Sequence, residues 1–221
     1  MKKLALCQPY FSPYLGYFQL INAVDVYVSY DDVNFIKGGW INRNRVKVNG
    51  SNMIFNIPLI KQSSFKKINE TYIDWDNRGI DKFLKTINQS YNKSPHRDNV
   101  MDILDSIFKD KPLTIADLSL LSIKEFCKYL DIKTEIKTAS TLGYDRTNDK
   151  MQNIVNICNK ENALNYINPI GGTKLYDKEE FKKQNIKLNF IEGTSSLSII
   201  DECLNNTKEE VKQKLTNYKL I

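Results

Sequence analysis

The sequence is poor in the residues that build the commonest metal and redox sites. It has one histidine, His96, and four cysteines, Cys7, Cys127, Cys158 and Cys203, which lie far apart with no Cys-x-x-Cys pair. A single histidine excludes a His-rich metal site and catalysis by paired histidines. The spacing of the cysteines is typical of reduced, buried thiols in a protein of a reducing compartment. A Cys–His nucleophile pair stays open, with Cys7 as its thiol, although one histidine before a helix is more often incidental.

Long hydrophobic runs are also absent. No stretch approaches the roughly 18 consecutive apolar residues of a membrane-crossing helix. Met1, Lys2 and Lys3 carry the charge of a signal peptide, but the apolar run 4–7 that follows is too short for one. We therefore expect no targeting segment, no membrane span and a cytoplasmic location.

The chain has no repeat, no low-complexity tract and no long basic run. Its 221 residues, of which 41% are hydrophobic and 11% aromatic, suit one full-sized domain with a real core. The formal net charge of +6 favours an anionic partner, but the basic and acidic residues are interspersed along the chain. A nucleic-acid footprint is therefore not evident, and nucleotide phosphates or an anionic membrane face would suit the charge equally well.

Hydrophobic periodicity predicts strands and a hairpin in the first third of the chain. The predicted strands are residues 4–7, 24–29 and 68–73, and a short apolar helix covers 14–21. Two alternating runs, 43–48 and 53–57, flank the pair Asn49-Gly50, which is the typical signal of a two-residue hairpin turn.

The rest of the chain has the pattern of helices followed by alternating strands and helices. Amphipathic spacing predicts helices over 80–91, from Ser94-Pro95 onward, and over 113–130. Strands are then predicted at 132–137, 163–167 and 186–191, with helices at 149–159, 177–184 and 208–218. The sequence therefore predicts one α/β domain over 1–221 with a mixed sheet, an N-terminal hairpin region, a helical middle and a C-terminal β/α part. Residues 77–130 are a candidate helical subdomain.

A cluster of polar and aromatic residues follows the first predicted strand, between Gln8 and Tyr14. Ligands of open α/β sheets bind at the carboxyl ends of strands. Gln8 offers both a donor and an acceptor there, and the first amides of the helix after Pro13 could meet an anion. The alternative is that Pro9, Pro13 and the aromatic residues form a stiff turn packed on the core.

Asp31 and Asp32 follow the second predicted strand. Adjacent strand residues point to opposite sides, so at most one carboxylate faces a given site. That carboxylate could act as a general base or hold a divalent metal, while the other turns or caps the backbone. An ordinary turn is the alternative, and the carboxylate spacing of glycosyltransferase metal sites is absent.

The third cluster runs from Trp40 to Arg45. Alternation places Asn42 and Asn44 on one face of the strand, and Arg43 and Arg45 on the other. Two arginines on one face can bind a phosphate or carboxylate, and Trp40 could stack on a base or sugar ring. The alternative is an exposed hairpin edge with solvated arginines.

Two further loops have weaker signals. Gly171-Gly172 follows a predicted strand and precedes Tyr176, and such a glycine loop can approach a phosphate, but it matches neither common phosphate-binding pattern. An ordinary turn is the alternative. The polar stretch that begins at Ser195-Ser196 leads into a helix for which Ser198 is a candidate N-cap.

These clusters together resemble the WbqC-like family, which is found among genes for surface polysaccharide and glycan biosynthesis. The likeness extends over nearly the whole chain, and it is most specific in its first two groups of residues. It rests on Gln8-Pro9 with Tyr14 to Phe18, Asp25 with Asp31 to Val33, Trp40 to Asn44, Trp75, Ser90 to Pro95, Ser140, Tyr166, Gly171-Gly172, Tyr176, and Leu197 to Asp201. Family members often carry histidine where this chain has Cys7. If that histidine were the catalytic base, this chain would use another group.

The resemblance implies a cytoplasmic transferase of surface polysaccharide biosynthesis, of the O-antigen type, which moves an acyl or aminoacyl group onto the amine of a nucleotide-linked sugar. Coenzyme A or an aminoacyl carrier would be the donor. In this interpretation Arg43 and Arg45 bind the diphosphate, Asp31 or Asp32 accepts the proton of the amine, and amides near Gly171-Gly172 stabilise an oxyanion. Cys7 is a further catalytic candidate, and Gln8, Pro9, Tyr14, Trp40, Asn42, Asn44, Tyr91 and Tyr176 are candidate substrate contacts.

Three alternatives stay open. The chain could be a nucleotide-sugar glycosyltransferase with Asp31 or Asp32 on a metal, or a non-catalytic sugar-nucleotide or partner-binding protein of the assembly pathway. A nucleic-acid binder is the least favoured, because the aromatic residues are not interleaved with a continuous basic groove. A homo-oligomer is open in each case.

Overall fold

A computed structural model describes residues 1–48, 50–194 and 197–221, and within these it contains two β-sheets. The predicted α/β class with a mixed sheet is confirmed. The six strands of the large sheet are β1 (Lys3–Cys7), β2 (Val26–Ser29), β5 (Glu135–Thr138), β6 (Asn165–Pro169), β7 (Lys187–Glu192) and β8 (Lys219–Leu220). A separate antiparallel hairpin consists of β3 (Arg43–Val48) and β4 (Ser51–Asn56).

Nine α-helices lie in the described parts of the chain. They are α1 (Leu15–Asn22), α2 (Gly79–Ser90), α3 (Arg97–Lys109), α4 (Ile115–Tyr129), α5 (Ala139–Leu142), α6 (Lys150–Lys160), α7 (Lys178–Lys183), α8 (Ile199–Asn205) and α9 (Lys208–Lys214). Side-chain caps fix several of the helix starts, since Thr114, Asp149, Asp177 and Ser198 each accept a hydrogen bond from a backbone amide of the first turn. The predicted cap at Ser198 is therefore confirmed. No helix in these parts of the chain is long and apolar enough to cross a membrane.

The strands of the large sheet lie in the order β5-β2-β1-β6-β7-β8, and only β8 is antiparallel to its neighbour. The chain leaves β1 for β2 on one side and later returns to β1 on the other side with β6. The order therefore reverses at β1, which makes the carboxyl ends of β1 and β6 the switch point of a doubly wound sheet.

The two faces of the sheet are covered by different helices because strand residues alternate. Leu4 and Leu6 of β1 belong to a buried cluster with apolar residues of α6 and α7. Ala5 between them belongs to a second cluster, which includes residues of α1, α2, α3, α4, α8 and α9. The helices of the candidate subdomain 77–130 thus bury their apolar sides in the same cluster as one face of the sheet. The single-domain organisation of 1–221 stays a prediction.

Two glycines allow the loop after β7 to lie close against α1. A Cβ atom on Gly193 would lie 2.8 Å from the Cα atom of Gly16 and 2.6 Å from Oε1 of Gln19. Gln19 is fully buried, and its side-chain amide donates hydrogen bonds to the carbonyl oxygens of Lys214 (2.7 Å) and Asn217 (2.8 Å). This amide connects the C-terminal segment to α1.

The predicted hairpin is confirmed, with Val48 paired to Ser51 at its tip. Asn49 of the predicted turn lies outside the described residues, and Gly50 has a φ of +80°, the left-handed region that such turns require. The inner face of the hairpin holds the buried Asn44, whose side chain donates to the carbonyl oxygen of Ser12 at 2.6 Å. This bond attaches the hairpin to the loop that follows β1.

One predicted strand is wrong. Residues 68–73 begin with a 3₁₀ helix, Ile68–Glu70, and continue as isolated bridges instead of a strand. The Glu70 side chain accepts a hydrogen bond from the amide of Lys67 (3.1 Å), and the amide of Asn69 donates to the carbonyl oxygen of Asp31 (3.1 Å). These bonds turn a segment whose apolar pattern alone resembled a strand.

Other predicted bounds shift. The helix expected from Ser94-Pro95 starts at Arg97, after a turn in which the Arg97 amide donates to the Ser94 carbonyl oxygen (3.3 Å). The last helix ends at Lys214, so that the chain can add β8 to the sheet, and neither β8 nor the short helix α5 was predicted. Ser195-Ser196 of the predicted polar loop lie outside the described residues.

Candidate site at the strand ends

Several candidate residues lie where the parallel strands β1, β2 and β6 end. We call Cys7, Tyr30, Asp32, Tyr144, Arg146 and Tyr176 the strand-end cluster. The amide of Tyr30, just beyond β2, donates to the carbonyl oxygen of Cys7 at 2.8 Å. Tyr144 is close enough to Tyr30 to influence the pKa of its hydroxyl. Burial raises the pKa of Tyr176, and the nearby Tyr30 and Cys7 raise it further. The last residue of β1 and five residues from three loops are therefore neighbours at the switch point.

Cys7 keeps some accessibility but is closely surrounded by tyrosines. Burial raises the pKa of its thiol to about 12, so the group is protonated at neutral pH. Burial, with an added contribution from the nearby Cys7, raises the pKa of Tyr10, Tyr14, Tyr17, Tyr27, Tyr166 and Tyr176. Cys7 thus lies in an environment of neutral hydroxyl groups, none of which promotes formation of a thiolate.

Two of these tyrosines hold the backbone at the end of β1. The Tyr17 hydroxyl donates to the carbonyl oxygen of Gln8 at 2.9 Å and also contacts the Tyr27 hydroxyl. Gln8 keeps a partly exposed side chain, whereas Pro9 is buried. Tyr14 is half-buried and stacks on Tyr10, with ring centroids 6.5 Å apart. Of this segment, Gln8 and Tyr14 are therefore placed to reach a ligand, and Pro9 shapes the turn.

Asp31 has the bonding pattern of a structural cap. Its carboxylate accepts hydrogen bonds from the Ser140 amide (3.0 Å), the Ser140 hydroxyl (2.6 Å) and the Asn69 side chain (3.2 Å). The first two bonds fall at the start of α5, the helix that sequence reasoning missed. With both oxygens occupied and the side chain buried, Asp31 has little capacity left to accept a proton from a ligand.

Asp32 points to a different set of partners, as expected for adjacent residues after a strand. Its Oδ2 atom forms an ion pair with Arg146 and accepts a hydrogen bond from the Tyr144 hydroxyl at 3.0 Å. Its Oδ1 atom is buried and has no hydrogen-bond partner among the described residues. A buried carboxylate oxygen without a partner carries an energetic cost, and a hydrogen-bond donor that reached it would remove that cost.

The glycine pair forms the second and third residues of the 3₁₀ helix Ile170–Lys174, which directly follows β6. A Cβ atom on Gly172 would lie 2.0 Å from Oδ1 of Asn168, so packing alone requires a glycine there. A Cβ atom on Gly171 would meet nothing within 4 Å. Since packing does not explain Gly171, close approach of a ligand to its backbone is a reason for glycine at this position.

The hairpin cluster forms a separate group. The guanidinium groups of Arg43 and Arg45 each lie 5.3 Å from the centre of the Trp40 ring, so the ring already contacts two cations. Arg43 also donates to the carbonyl oxygen of Gly38. The Asn42 side chain donates to the Ile57 carbonyl oxygen at 2.9 Å and has, like the buried Asn44, a structural partner. Among the described residues, no hydrogen bond or ring contact joins Trp40 or Arg43 to the strand-end cluster.

Tyr91 lies elsewhere again, at the end of α2. Its buried hydroxyl contacts the Asp201 carboxylate and the carbonyl oxygen of Lys47 (2.5 Å). It lines an open depression of about 350 Å³ together with Ser94, His96 and neighbouring residues of α8. No residue of the strand-end cluster lines this depression. The switch point is the stronger candidate for the ligand site, because ligands of doubly wound sheets bind there.

The structure therefore brings together Cys7, Gln8, Asp32 and the loop that contains Gly171, but among the described residues no hydrogen bond, ion pair or ring contact joins Arg43 or Tyr91 to them. Tyr30, Tyr144 and Arg146 were missed by sequence reasoning. A signal was present, because Gly143-Tyr144-Asp145-Arg146 is a polar and aromatic loop that follows a predicted strand. Helix α5 lies between this loop and the strand in the sequence, so the loop was not recognised as a continuation of the strand end. Within the described residues, no group of three or more His, Cys, Asp or Glu side chains is placed to hold a metal ion.

The fold and this site define a doubly wound α/β protein with a candidate ligand site at the switch point of its sheet. The chain belongs to the WbqC-like protein family, whose sequence profile matches residues 8–213. The matched region contains every residue of the strand-end cluster except Cys7, which directly precedes it.

A protein of Mycobacterium tuberculosis (strain ATCC 25618 / H37Rv), named "Uncharacterized protein Rv1507c", is similar to this chain. The two are 29% identical over 199 residues, which cover 87% of this chain and 83% of the relative. No solved structure matches the chain significantly.

Proposed function

We propose that this protein is a cytoplasmic transferase of surface polysaccharide biosynthesis that binds a nucleotide-linked amino sugar at the strand-end cluster and transfers an acyl or aminoacyl group to its amine. The observation that carries the proposal is the convergence of Gln8, Asp32 and Gly171 at the switch point of a doubly wound sheet, in a chain of the WbqC-like family. Sheets of this kind bind nucleotides at that place.

The phosphates of the sugar nucleotide would lie against the backbone of Gly171. The amide groups of a 3₁₀ turn after a parallel strand point toward an anion, and the absence of a side chain at Gly171 permits close approach. Arg146 supplies a positive charge at the same edge of the sheet, with a side chain that is 39% exposed and thus within reach of a ligand.

Asp32 would accept the proton of the attacking amine through its unpartnered Oδ1 atom. The amine nitrogen forms a bond to the carbonyl carbon of the acyl donor, the bond from that carbon to the carrier breaks, and the carrier leaves with the electron pair. A positioned base of this kind contributes a factor of about 10²–10⁴ to the rate. Arg146 and Tyr144 hold the carboxylate through its other oxygen, and Oδ1 carries no hydrogen bond that proton transfer would have to break.

Cys7 would not form an acyl-enzyme intermediate in this mechanism. A thiol with a pKa of about 12 is almost entirely protonated at neutral pH, and the thiolate is the nucleophile. Direct transfer from the donor to the sugar amine is therefore the route that we propose. Coenzyme A or an aminoacyl carrier is the donor class, and it is a substrate in this scheme.

The test is a thermal-shift panel with nucleoside-diphosphate amino sugars, the same nucleotides linked to sugars without an amine, free nucleotides and acyl-coenzyme A. A ligand at 100 times its dissociation constant adds about 2.7 kcal/mol to the free energy of unfolding, or roughly 5–10 °C in melting temperature. Gly171→Ala should abolish most of this shift and leave the melting temperature of the free protein unchanged. Lys174→Ala, an exposed change in the same 3₁₀ helix, is the matched control.

The hairpin arginines are tested in the same panel. If Arg43→Ala removes the ligand-induced shift and Arg97→Ala does not, the diphosphate lies at the hairpin and our placement at Gly171 is wrong.

Mass spectrometry of the amino sugar after incubation with donors distinguishes the candidate functions. Gain of an acyl mass supports the transferase, glycosyl transfer that a chelator abolishes supports the metal-dependent glycosyltransferase, and binding without turnover supports the binding protein.

A further inference from the structure

The positive charge of the chain is concentrated in one segment. Residues 33–69 contain no aspartate or glutamate, and their basic residues are Lys37, Arg43, Arg45, Lys47, Lys61, Lys66 and Lys67. The net charge of the whole chain is +6, so this segment accounts for its entire positive excess. Elsewhere basic and acidic residues are interspersed, and the exposed lysines of α7, for example, pair with Glu179 and Glu180.

The same segment exposes large apolar side chains. Phe65 is 95% exposed, and Ile36, Trp40, Ile54 and Ile60 are each about half exposed. Phe65 follows Ser63 and Ser64 and precedes two lysines, and Lys66 donates from its amide to the Ser63 carbonyl oxygen in a tight turn (3.2 Å). Scattered exposed apolar residues are normal on a protein surface, whereas several within an acid-free basic segment indicate an interaction site.

Backbone contacts place part of these residues side by side. The amide of Phe35 donates to the carbonyl oxygen of Lys66 at 2.8 Å, and Asn34 is bridged to Lys67, which brings Ile36 alongside Phe65. A turn joins Ile36 to the loop that leads into Trp40, with the Gly39 amide 2.9 Å from the Ile36 carbonyl oxygen.

The hairpin that follows Trp40 in the chain adds further basic and apolar side chains. Arg45 lies opposite Ile54 in the register, and the Trp40 ring contacts the guanidinium groups of Arg43 and Arg45. We call this surface the basic-apolar face, defined by Ile36, Trp40, Ile54, Phe65, Lys66 and Lys67.

We propose that the basic-apolar face attaches the protein peripherally to a bilayer surface that contains anionic lipids. Apolar side chains at a loop tip would enter the region between headgroups and acyl chains, while lysines beside them would meet the lipid phosphates. A nucleic acid would satisfy the charge but would leave the exposed isoleucines and Phe65 in water. A bilayer satisfies both the charge and the apolar side chains.

The experiment is co-sedimentation of the full chain with vesicles of phosphatidylcholine alone, and of phosphatidylcholine with phosphatidylglycerol. We expect binding to the anionic vesicles only, with a loss when salt is raised from about 0.1 M to about 1 M, because screening shortens the reach of the charges. Trp40 is a built-in probe, and its emission should shift to the blue on binding. The indole of Trp75 already donates to the Pro112 carbonyl oxygen at 3.0 Å, so Trp40→Phe should remove the shift.

Two variants separate the contributions. Phe65→Ser should weaken partitioning by roughly tenfold or more, since it removes an apolar side chain from the bilayer. Lys66→Gln with Lys67→Gln should weaken partitioning by roughly 25-fold, because each charge near an anionic surface contributes about a factor of five. The matched controls are Leu164→Ser, an exposed apolar residue outside the face, and Lys182→Gln with Lys183→Gln on α7.

All of these side chains are exposed or partly exposed and lie outside the strand-end cluster, so the variants should keep the melting temperature of the original chain. Absence of binding to anionic vesicles at low salt would overturn the proposal, as would equal losses with the control variants. Binding of single-stranded RNA with indifference to vesicles would assign the face to nucleic acid instead. None of these outcomes depends on the strand-end site, so failure here and failure of the proposed function are separate results.

Discussion

Asp32 and Arg146 form an ion pair between two loops that are 114 positions apart in the chain. The pair joins the end of β2 to the loop after α5, and the Tyr144 hydroxyl lies within hydrogen-bond distance of both partners, 3.0 Å from Asp32 and 2.8 Å from Arg146. Its neighbour Asp31 points to Ser140 and caps α5. The two consecutive aspartates therefore have different partners, and of the two only Asp32 has a carboxylate oxygen without a hydrogen bond among the described residues.

The first prediction concerns this division of roles. Asp32→Asn should lower kcat by about 10²–10⁴ with little change in KM, because it removes the proton acceptor. Asp31→Asn should instead lower the free energy of unfolding by roughly 1–3 kcal/mol, because it disturbs buried hydrogen bonds that only a carboxylate can accept in full. Turnover of an amino sugar and the melting temperature distinguish the two effects.

A control for the Asp32 change is Asp131→Asn. Asp131 is an exposed carboxylate that pairs with Lys208 and Lys212, so its loss should leave both turnover and stability nearly unchanged. Full activity of Asp32→Asn combined with loss of activity in Asp31→Asn at unchanged stability would reverse our assignment.

The second prediction concerns the reactivity of Cys7. Burial raises the pKa of the thiol from 9.0 to about 12, so alkylation by iodoacetamide should be slow at pH 8 and should accelerate up to about pH 12. The folded state holds this proton more tightly than the unfolded chain does. The stability contributed by the protonated thiol is thus fully present below pH 9 and is lost as the pH rises toward 12.

Peptide mapping identifies the modified position, since Cys127, Cys158 and Cys203 are buried. The unfolded protein is the reference, and its rate should level off near pH 9, as for an ordinary thiol. A rate at Cys7 that is already maximal near pH 7 would show a thiolate, and would restore Cys7 as a candidate nucleophile.

The third prediction separates the two glycines after β6. Gly172→Ala should cost roughly 1–3 kcal/mol of stability, because its Cβ atom would lie 2.0 Å from Oδ1 of Asn168. Asn168 cannot move freely, since its amide donates to the Tyr166 hydroxyl at 2.6 Å. Gly171→Ala should leave the unfolding midpoint unchanged. The measurement is denaturant unfolding, and equal stability of both variants would contradict the packing argument.

The fourth prediction concerns Tyr91, which sequence similarity marked as a substrate contact. Tyr91→Phe should lower the free energy of unfolding by roughly 1–3 kcal/mol, because the buried Asp201 loses a hydroxyl donor. KM should stay the same. Tyr72→Phe, on an exposed tyrosine, is the matched control. A rise in KM at constant melting temperature would instead place Tyr91 in a binding site.

Local patterns were sufficient to predict most of the secondary structure. The alternation in 43–48 and 53–57 predicted the hairpin, and the 3.6-residue spacing predicted α2, α3 and α4, because both periods express which side of an element is buried. The strand predicted at 68–73 was wrong because an apolar pattern shows only which side chains are buried. It does not show the hydrogen bonds of Glu70 and Asn69 that turn the chain there.

Local patterns also predicted candidate ligand-binding residues in the loops that follow β1, β2 and β6. They could not show which of these loops forms a ligand site. Nothing in a local stretch of sequence indicates that Asn42 and Asn44 hydrogen-bond to backbone carbonyl groups, or that Arg146 pairs with Asp32. The roles of these residues depend on partners that are remote in sequence.

The sequence by itself determined the α/β class, the hairpin, the cap at Ser198 and the family, because each follows from residue types within a few positions or from motifs along the chain. The tertiary structure alone decided that β6 lies beside β1. That pairing joins segments about 160 residues apart, and it is fixed by the burial of whole faces of the sheet beneath two layers of helices. From it follows that the loop containing Gly171 and the end of β1 at Cys7 lie at the same edge of the sheet.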